Sequence, residues 1–135
     1  NRILVVLEKG DEIFKSLHAL VNQLDITFGW INGIGAIEDI TLGSYSVEKK
    51  DYIKKEFTGE FELTSLSGNI TTKNNEPFIH IHVNISDEEC NAYGGHLFSA
   101  TITATCEIII FISDNHLYRQ ESEDIGLYLW NLECK

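Results

Sequence analysis

The sequence predicts an α+β fold, a mainly antiparallel β-sheet with one main amphipathic helix packed on one of its faces. Two observations predict it. A single stretch near the start carries apolar residues at helical spacing, and nearly everything after it alternates apolar and polar residues with the period of a strand. The segregation of one helix from many strands is the mark of the α+β class.

Arg2 to Leu7 opens as a strand whose apolar run, Ile3 to Leu7, is expected to be covered on both faces. Gly10-Asp11 breaks it, and Asp11 is the expected N-cap of the helix. Ile13, Phe14, Leu17, Leu20, Val21 and Leu24 then form one stripe over residues 12–25, with His18 on its flank. Thr27 to Asn32 reads as a strand ending in Asn32-Gly33-Ile34-Gly35, where two close glycines predict a bulge or a tight backbone approach. This G-x-G lacks the third glycine and the following helix of a dinucleotide fingerprint. Ile37 to Ser46 and Asp51 to Phe57 are further strands. Glu60 to Thr71 alternates and runs through Lys73-Asn74-Asn75-Glu76, a hairpin-type turn, into the next strand. Ser86 to Ala92 reads as an acidic loop, Leu97 to Ile112 as a long strand, and Leu127 to Trp130 as a last short one. His116 falls in a turn expected to be exposed. One helix cannot cover both faces of such a sheet, so the second face, with its mixed Thr, Glu and Tyr side chains, is expected to be partly buried by another copy of the chain.

The 135 residues suit one domain, 1–135, with a real core. No apolar run reaches the roughly 20 residues that span a bilayer. No signal-peptide pattern stands at the start, and a beginning at Asn1 rather than Met is expected to reflect lost leading residues. Cys90, Cys106 and Cys134 are odd in number and lack CxxC spacing, which fits free thiols in a cytoplasmic protein. Cys106 alternates with Ile108 and Ile110 as a small core residue, and Cys90 reads as a loop thiol rather than a ligand.

The formal net charge is −11. Affinity for duplex DNA comes largely from cations neutralising phosphates, and the arginines here are only Arg2 and Arg119. Lys49-Lys50 with Lys54-Lys55 is the one basic cluster; Asp51 and Glu56 interrupt it, so it reads as a solvated hairpin. Direct DNA binding is therefore not expected, and the acidity favours cations or basic partners.

The chemistry is carried by His80, His82 and His96. In Phe78-Ile79-His80-Ile81-His82-Val83-Asn84-Ile85, alternation sends the isoleucines and Val83 to one face and His80, His82 and Asn84 to the other. Two imidazoles next-but-one on a strand can converge on one ion. His96, after Gly94-Gly95, could complete a three-histidine set with a position open to water or substrate, as in catalytic zinc sites. The alternative is that the histidines simply occupy polar strand positions.

Gly59-Glu60-Phe61-Glu62-Leu63-Thr64-Ser65-Leu66-Ser67-Gly68-Asn69-Ile70, His80-Ile81-His82-Val83 and Gly94-Gly95-His96-Leu97, in that order, resemble the plants-and-prokaryotes conserved (PPC) domain in a stand-alone prokaryotic form. Gly33-Ile34-Gly35-Ala36, Thr41-Leu42-Gly43, and Arg119 with Gly126-Leu127 support the likeness. The resemblance implies a homotrimer with a fold similar to acetolactate decarboxylase, a zinc enzyme. It also implies a metal held by His80, His82 and His96, with zinc as the expected ion and iron or nickel as alternatives. Activity on a small carbonyl or carboxylate compound would follow, with Glu107 and Glu38 as candidates for proton transfer by strand placement and Arg119 as a partner for a substrate carboxylate. For each, an ordinary polar or salt-bridged strand residue is the competing reading. Plant members use the domain for self-association and protein contacts beside DNA-binding AT-hooks, which implies a second reading: a regulatory assembly module, DNA-binding by analogy only. Within these residues there is no Arg-Gly-Arg-Pro AT-hook, and Glu60 stands where plant members carry Arg. Both departures count against direct DNA contact.

Overall fold

Eight strands form one sheet in the computed structural model, which describes residues 1–132. In chain order the elements are β1 (Arg2–Glu8), α1 (Ile13–Gln23), β2 (Gly29–Ser46), β3 (Asp51–Phe57), β4 (Phe61–Lys73), β5 (Glu76–Ser86), β6 (Ala92–Ile112), β7 (Tyr118–Ser122) and β8 (Leu127–Asn131). The strand order is β3-β2-β6-β5-β4-β7-β8, with β1 added against β6. Pairing is antiparallel except for one parallel bridge, Thr72 to Tyr118. The first half of β2 also pairs with β4, so β2, β4, β5 and β6 form a closed ring of neighbours. Cys134 lies outside the described residues.

The stripe Ile13, Leu17 and Val21 is fully buried and packs α1 against β5 and β6. It joins Ile31, Leu66, Ile70, Ile81, Ile102, Cys106 and Ile110 of the sheet in one buried cluster. The other face stays open. The sequence reading of β1 is corrected here: Leu4 and Val6 are 78% and 64% exposed, because α1 covers only one face.

Four other expectations change. The helix is capped by Glu12, whose carboxylate accepts from the Lys15 N–H at 2.7 Å; the Asp11 carboxylate turns back to the Glu8 N–H. The two strands expected around Gly33 and Gly35 are one strand, β2, shifted in register at those glycines. A Cβ on Gly33 would lie 2.8 Å from the Glu107 carbonyl oxygen, so the glycines let β2 and β6 approach without breaking. β6 begins at Ala92, not Leu97, and takes in Gly94, Gly95 and His96. β7, polar and short, was not expected at all. The Asn74-Asn75 turn is confirmed, with both residues at positive φ as a two-residue hairpin requires.

Gly68 has a specific task. A Cβ there would press on the His80 carbonyl oxygen and the Ile81 backbone of the neighbouring strand. Gly68→Ala is expected to cost about 1–3 kcal/mol, the range for overpacking a tight contact. Urea unfolding checks it, and an unchanged midpoint would contradict it.

Candidate metal centre

Strand alternation on β5 sends His80 and His82 to the open face of the sheet. The β5–β6 register then places His96 directly opposite His82. The three side chains meet: one ring nitrogen from each lies within 4.8 Å of the others. His80 Nε2 and His82 Nε2 are 3.1 Å apart. Tetrahedral zinc held by imidazole nitrogens at ~2.0–2.1 Å would set nitrogen pairs roughly 3.4 Å apart, close to the His80–His82 spacing.

Their environment keeps two of them neutral. Burial pushes His80 down to about 4, with His96, His82 and Arg119 adding to the effect. Burial also pushes His96 down to about 4, helped by His82 and Lys54. Both are neutral at pH 7, with lone pairs free to ligate. His96 Nδ1 is buried and has no hydrogen-bond partner among the described residues, a cost that a bound ion or other ligand would remove. The His96 ring packs against Tyr52 and Phe98, with centroids 4.9 and 4.7 Å away, and those two rings also touch each other.

Arg119 reaches the site from β7. Its Nε donates to Thr71 Oγ1 at 2.8 Å, Nη1 to the Tyr128 carbonyl at 2.8 Å, and Nη2 to Asn69 Oδ1 at 2.9 Å. Nη2 also lies 3.4 Å from His80 Nδ1. Every one of these partners is neutral.

The other sequence candidates fall elsewhere. Glu107 is exposed on the open face, in a shallow groove with Leu4, Val6 and Ile34. Glu38 pairs with Thr101 on the β2–β6 ladder. Neither lines the cavity beside the histidines. Cys90 is exposed and outside the cluster, while Cys106 is buried as expected. His116 is exposed, and His18 is half-buried on the helix flank. Lys54 and Lys55 are exposed, as expected, with their ammonium groups 4.1 and 4.8 Å from the Phe98 and Phe57 ring centres. Tyr52, Phe98, Asn69 and Thr71 were missed; no local signal marks them, because each reaches the site through strand pairing.

A pH effect follows from the lowered histidines. The unfolded chain takes up protons near pH 6.5, and folded His80 and His96 do so only near 4. Their contribution to the stability of the metal-free protein is therefore complete above about 6.5 and declines as pH falls towards 4. Melting the wild type and a His80→Asn/His96→Asn variant at pH 7.5 and 5 should show the larger acid loss in the wild type. Parallel curves would refute it.

A family model for the Plants and Prokaryotes Conserved (PCC) domain matches residues 1–114. A metal-containing protein from Archaeoglobus fulgidus is 35% identical, with a TM-score of 0.90 over 98% of this chain and 94% of that one. A protein from Bacteroides thetaiotaomicron, described as a candidate DNA-binding protein, is 31% identical, with a TM-score of 0.94 over 97% of this chain and 92% of that one. Acetolactate decarboxylase from Bacillus subtilis subspecies spizizenii shares the fold at 16% identity and a TM-score of 0.61, over 90% of this chain and 57% of the enzyme. None of the curated proteins matches. The order of motifs, the sheet topology and a family match over most of the length agree, and the chain belongs to the Plants and Prokaryotes Conserved (PCC) domain family.

Proposed function

We propose that this chain, as a single domain over 1–135, forms a homotrimer that holds zinc through His80, His82 and His96 and acts on a small carbonyl or carboxylate compound. The observation that carries the reading is the convergence of three imidazoles, two of them neutral at pH 7 and one with a buried, unpartnered nitrogen. The similarity to a metal-containing protein supports it. Bound zinc would supply a Lewis acid with a position open to water or a carbonyl oxygen. The chain's own residues do the rest. Tyr52 and Phe98 fix the His96 ring. Thr71, Asn69 and the Tyr128 carbonyl hold Arg119 where its charge can orient a carboxylate.

Metal analysis and sedimentation of purified protein test this together. The expected result is about one zinc per chain in a trimer; metal-free wild type after reconstitution would overturn the site. In that case the second reading stands: a regulatory assembly module with structural histidines. The exposed apolar side chains of the open face favour it. A cytoplasmic location fits the free thiols Cys90 and Cys106, and among the described residues no helix is long and apolar enough to cross a membrane.

Relatives described as DNA-binding do not change the charge argument. With a net charge of −11, duplex affinity near physiological salt is expected to be undetectable. A shifted DNA band at submicromolar protein would contradict that.

A further inference from the structure

We infer that the cavity between the histidines and the β7–β8 hairpin binds a hydrophobic monocarboxylate, an acid with an aromatic or branched apolar body. The inference rests on the metal reading above for one partner of the carboxylate, and on this chain's own side chains for the others.

The cavity exists because two strands part. β5 and β6 are paired from Ser86–Ala92 to His82–His96 and then diverge. A space of about 530 Å³ opens in the gap, within the range that encloses a small organic molecule. Phe14 of α1, Ile79 and Leu97 line its inner side, and Gly126 to Leu129 of the hairpin line the outer side. The hairpin is tied across it by the Tyr45 hydroxyl, which donates to the Ile125 carbonyl at 2.8 Å, and by Lys50, which donates to the Glu123 carbonyl. Gly126 leaves room for the first tie, since a Cβ there would lie 2.7 Å from the Tyr45 oxygen.

The lining is amphipathic and one-signed. The chain carries 21 acidic residues against 10 Lys and Arg, yet among the described residues the charged ones lining this cavity are Lys73 and Arg119, with no Asp or Glu beside them. Arg119 is locked by three neutral acceptors and, with zinc on His80 Nε2 and the imidazole hydrogen on Nδ1, retains two uncommitted N–H groups of its five. A half-buried guanidinium with only neutral partners among the described residues is a cation suited to an anion. Lys73 Nζ rests 3.8 Å from the Tyr128 ring centre instead of on an acid. Phe78, Phe98, Tyr128, Leu127 and Leu129 make up the remaining wall. A bare anion would satisfy the cations and leave these walls wet. A neutral hydrocarbon would do the reverse. An apolar acid satisfies both.

Calorimetry with zinc-reconstituted wild type tests this, using phenylacetate, acetate, phenylacetamide and inorganic phosphate. Phenylacetate is expected to bind at least tenfold tighter than each of the other three. Arg119→Gln should weaken it tenfold or more. Because that substitution also loosens the hairpin, Lys73→Gln provides a second reading, expected to weaken phenylacetate several-fold with an unchanged melting temperature. Equal affinity for phenylacetate and acetate, or for phenylacetate and its amide, would overturn the inference. So would wild-type affinity in both variants. Zinc content is measured in the same samples: full zinc without phenylacetate binding sinks the inference alone. Phenylacetate binding without zinc sinks the metal reading and leaves the cavity site held by Arg119 and Lys73.

Discussion

His82→Ala is expected to remove zinc from the purified protein while leaving its melting temperature close to that of the metal-free wild type. His82 is the exposed member of the triad, so no core packing is lost with it. What is lost is one of three ligands. Changing an outer-shell partner alone commonly costs about 10–100-fold in metal affinity, and deleting a ligand should cost more. His96→Ala should lose zinc equally but also lower stability, because its ring packs against Tyr52 and Phe98. The pair of variants separates ligation from packing. If both shed zinc and only His96→Ala melts early, the site is a metal centre built on a rigid wall. Zinc retained at full stoichiometry in His82→Ala would place the ion elsewhere and end the proposal.

The candidate site was half legible in the sequence, and the boundary is physical. Alternation along β5 displays His80 and His82 on one face, since facing is a local property of a strand. Their meeting with His96 is not local. It depends on the His82–His96 register, set by two strands and a hairpin together. The sequence reading starts the strand only at Leu97, after Gly94-Gly95, because glycine usually punctuates. In the fold these positions belong to β6, and a side chain at Gly95 would meet the Gly43 carbonyl oxygen at 2.9 Å. Arg119 was visible as a charged candidate, yet β7 was not, because a short polar strand has no apolar rhythm to betray it. The core was the easiest part: Leu17, Ile81 and Cys106 are buried as their periodicities require. The exposed side of β1 was misjudged for the opposite reason. A run of consecutive apolar residues signals two covered faces, and a second cover supplied by another chain leaves the same signature as one supplied by the same chain.

Val6→Asp is accordingly expected to convert the proposed trimer to monomer without unfolding it. One row of paired residues crosses the open face from His96 through His82, Ser67, Asn32 and Ile109 to Leu4. Around its far end Leu4, Val6, Ile34, Trp30 and Phe111 are all exposed, more apolar surface than a monomer normally leaves in water. In the isolated chain a charge at Val6, already 64% exposed, should cost only about 1 kcal/mol, from lost strand propensity and the like charge of Glu107 opposite. In an interface it would be a buried, unpaired carboxylate beside Glu107, its cross-strand partner, at a cost of several kcal/mol. A penalty of about 4 kcal/mol corresponds to roughly a thousandfold in an association constant. Sedimentation equilibrium at micromolar concentration should show the change, and a trimeric Val6→Asp protein would locate the interface elsewhere. All three histidines come from one chain, so the monomeric variant should still bind zinc. Loss of zinc together with the trimer would mean that the neighbouring subunit completes the site.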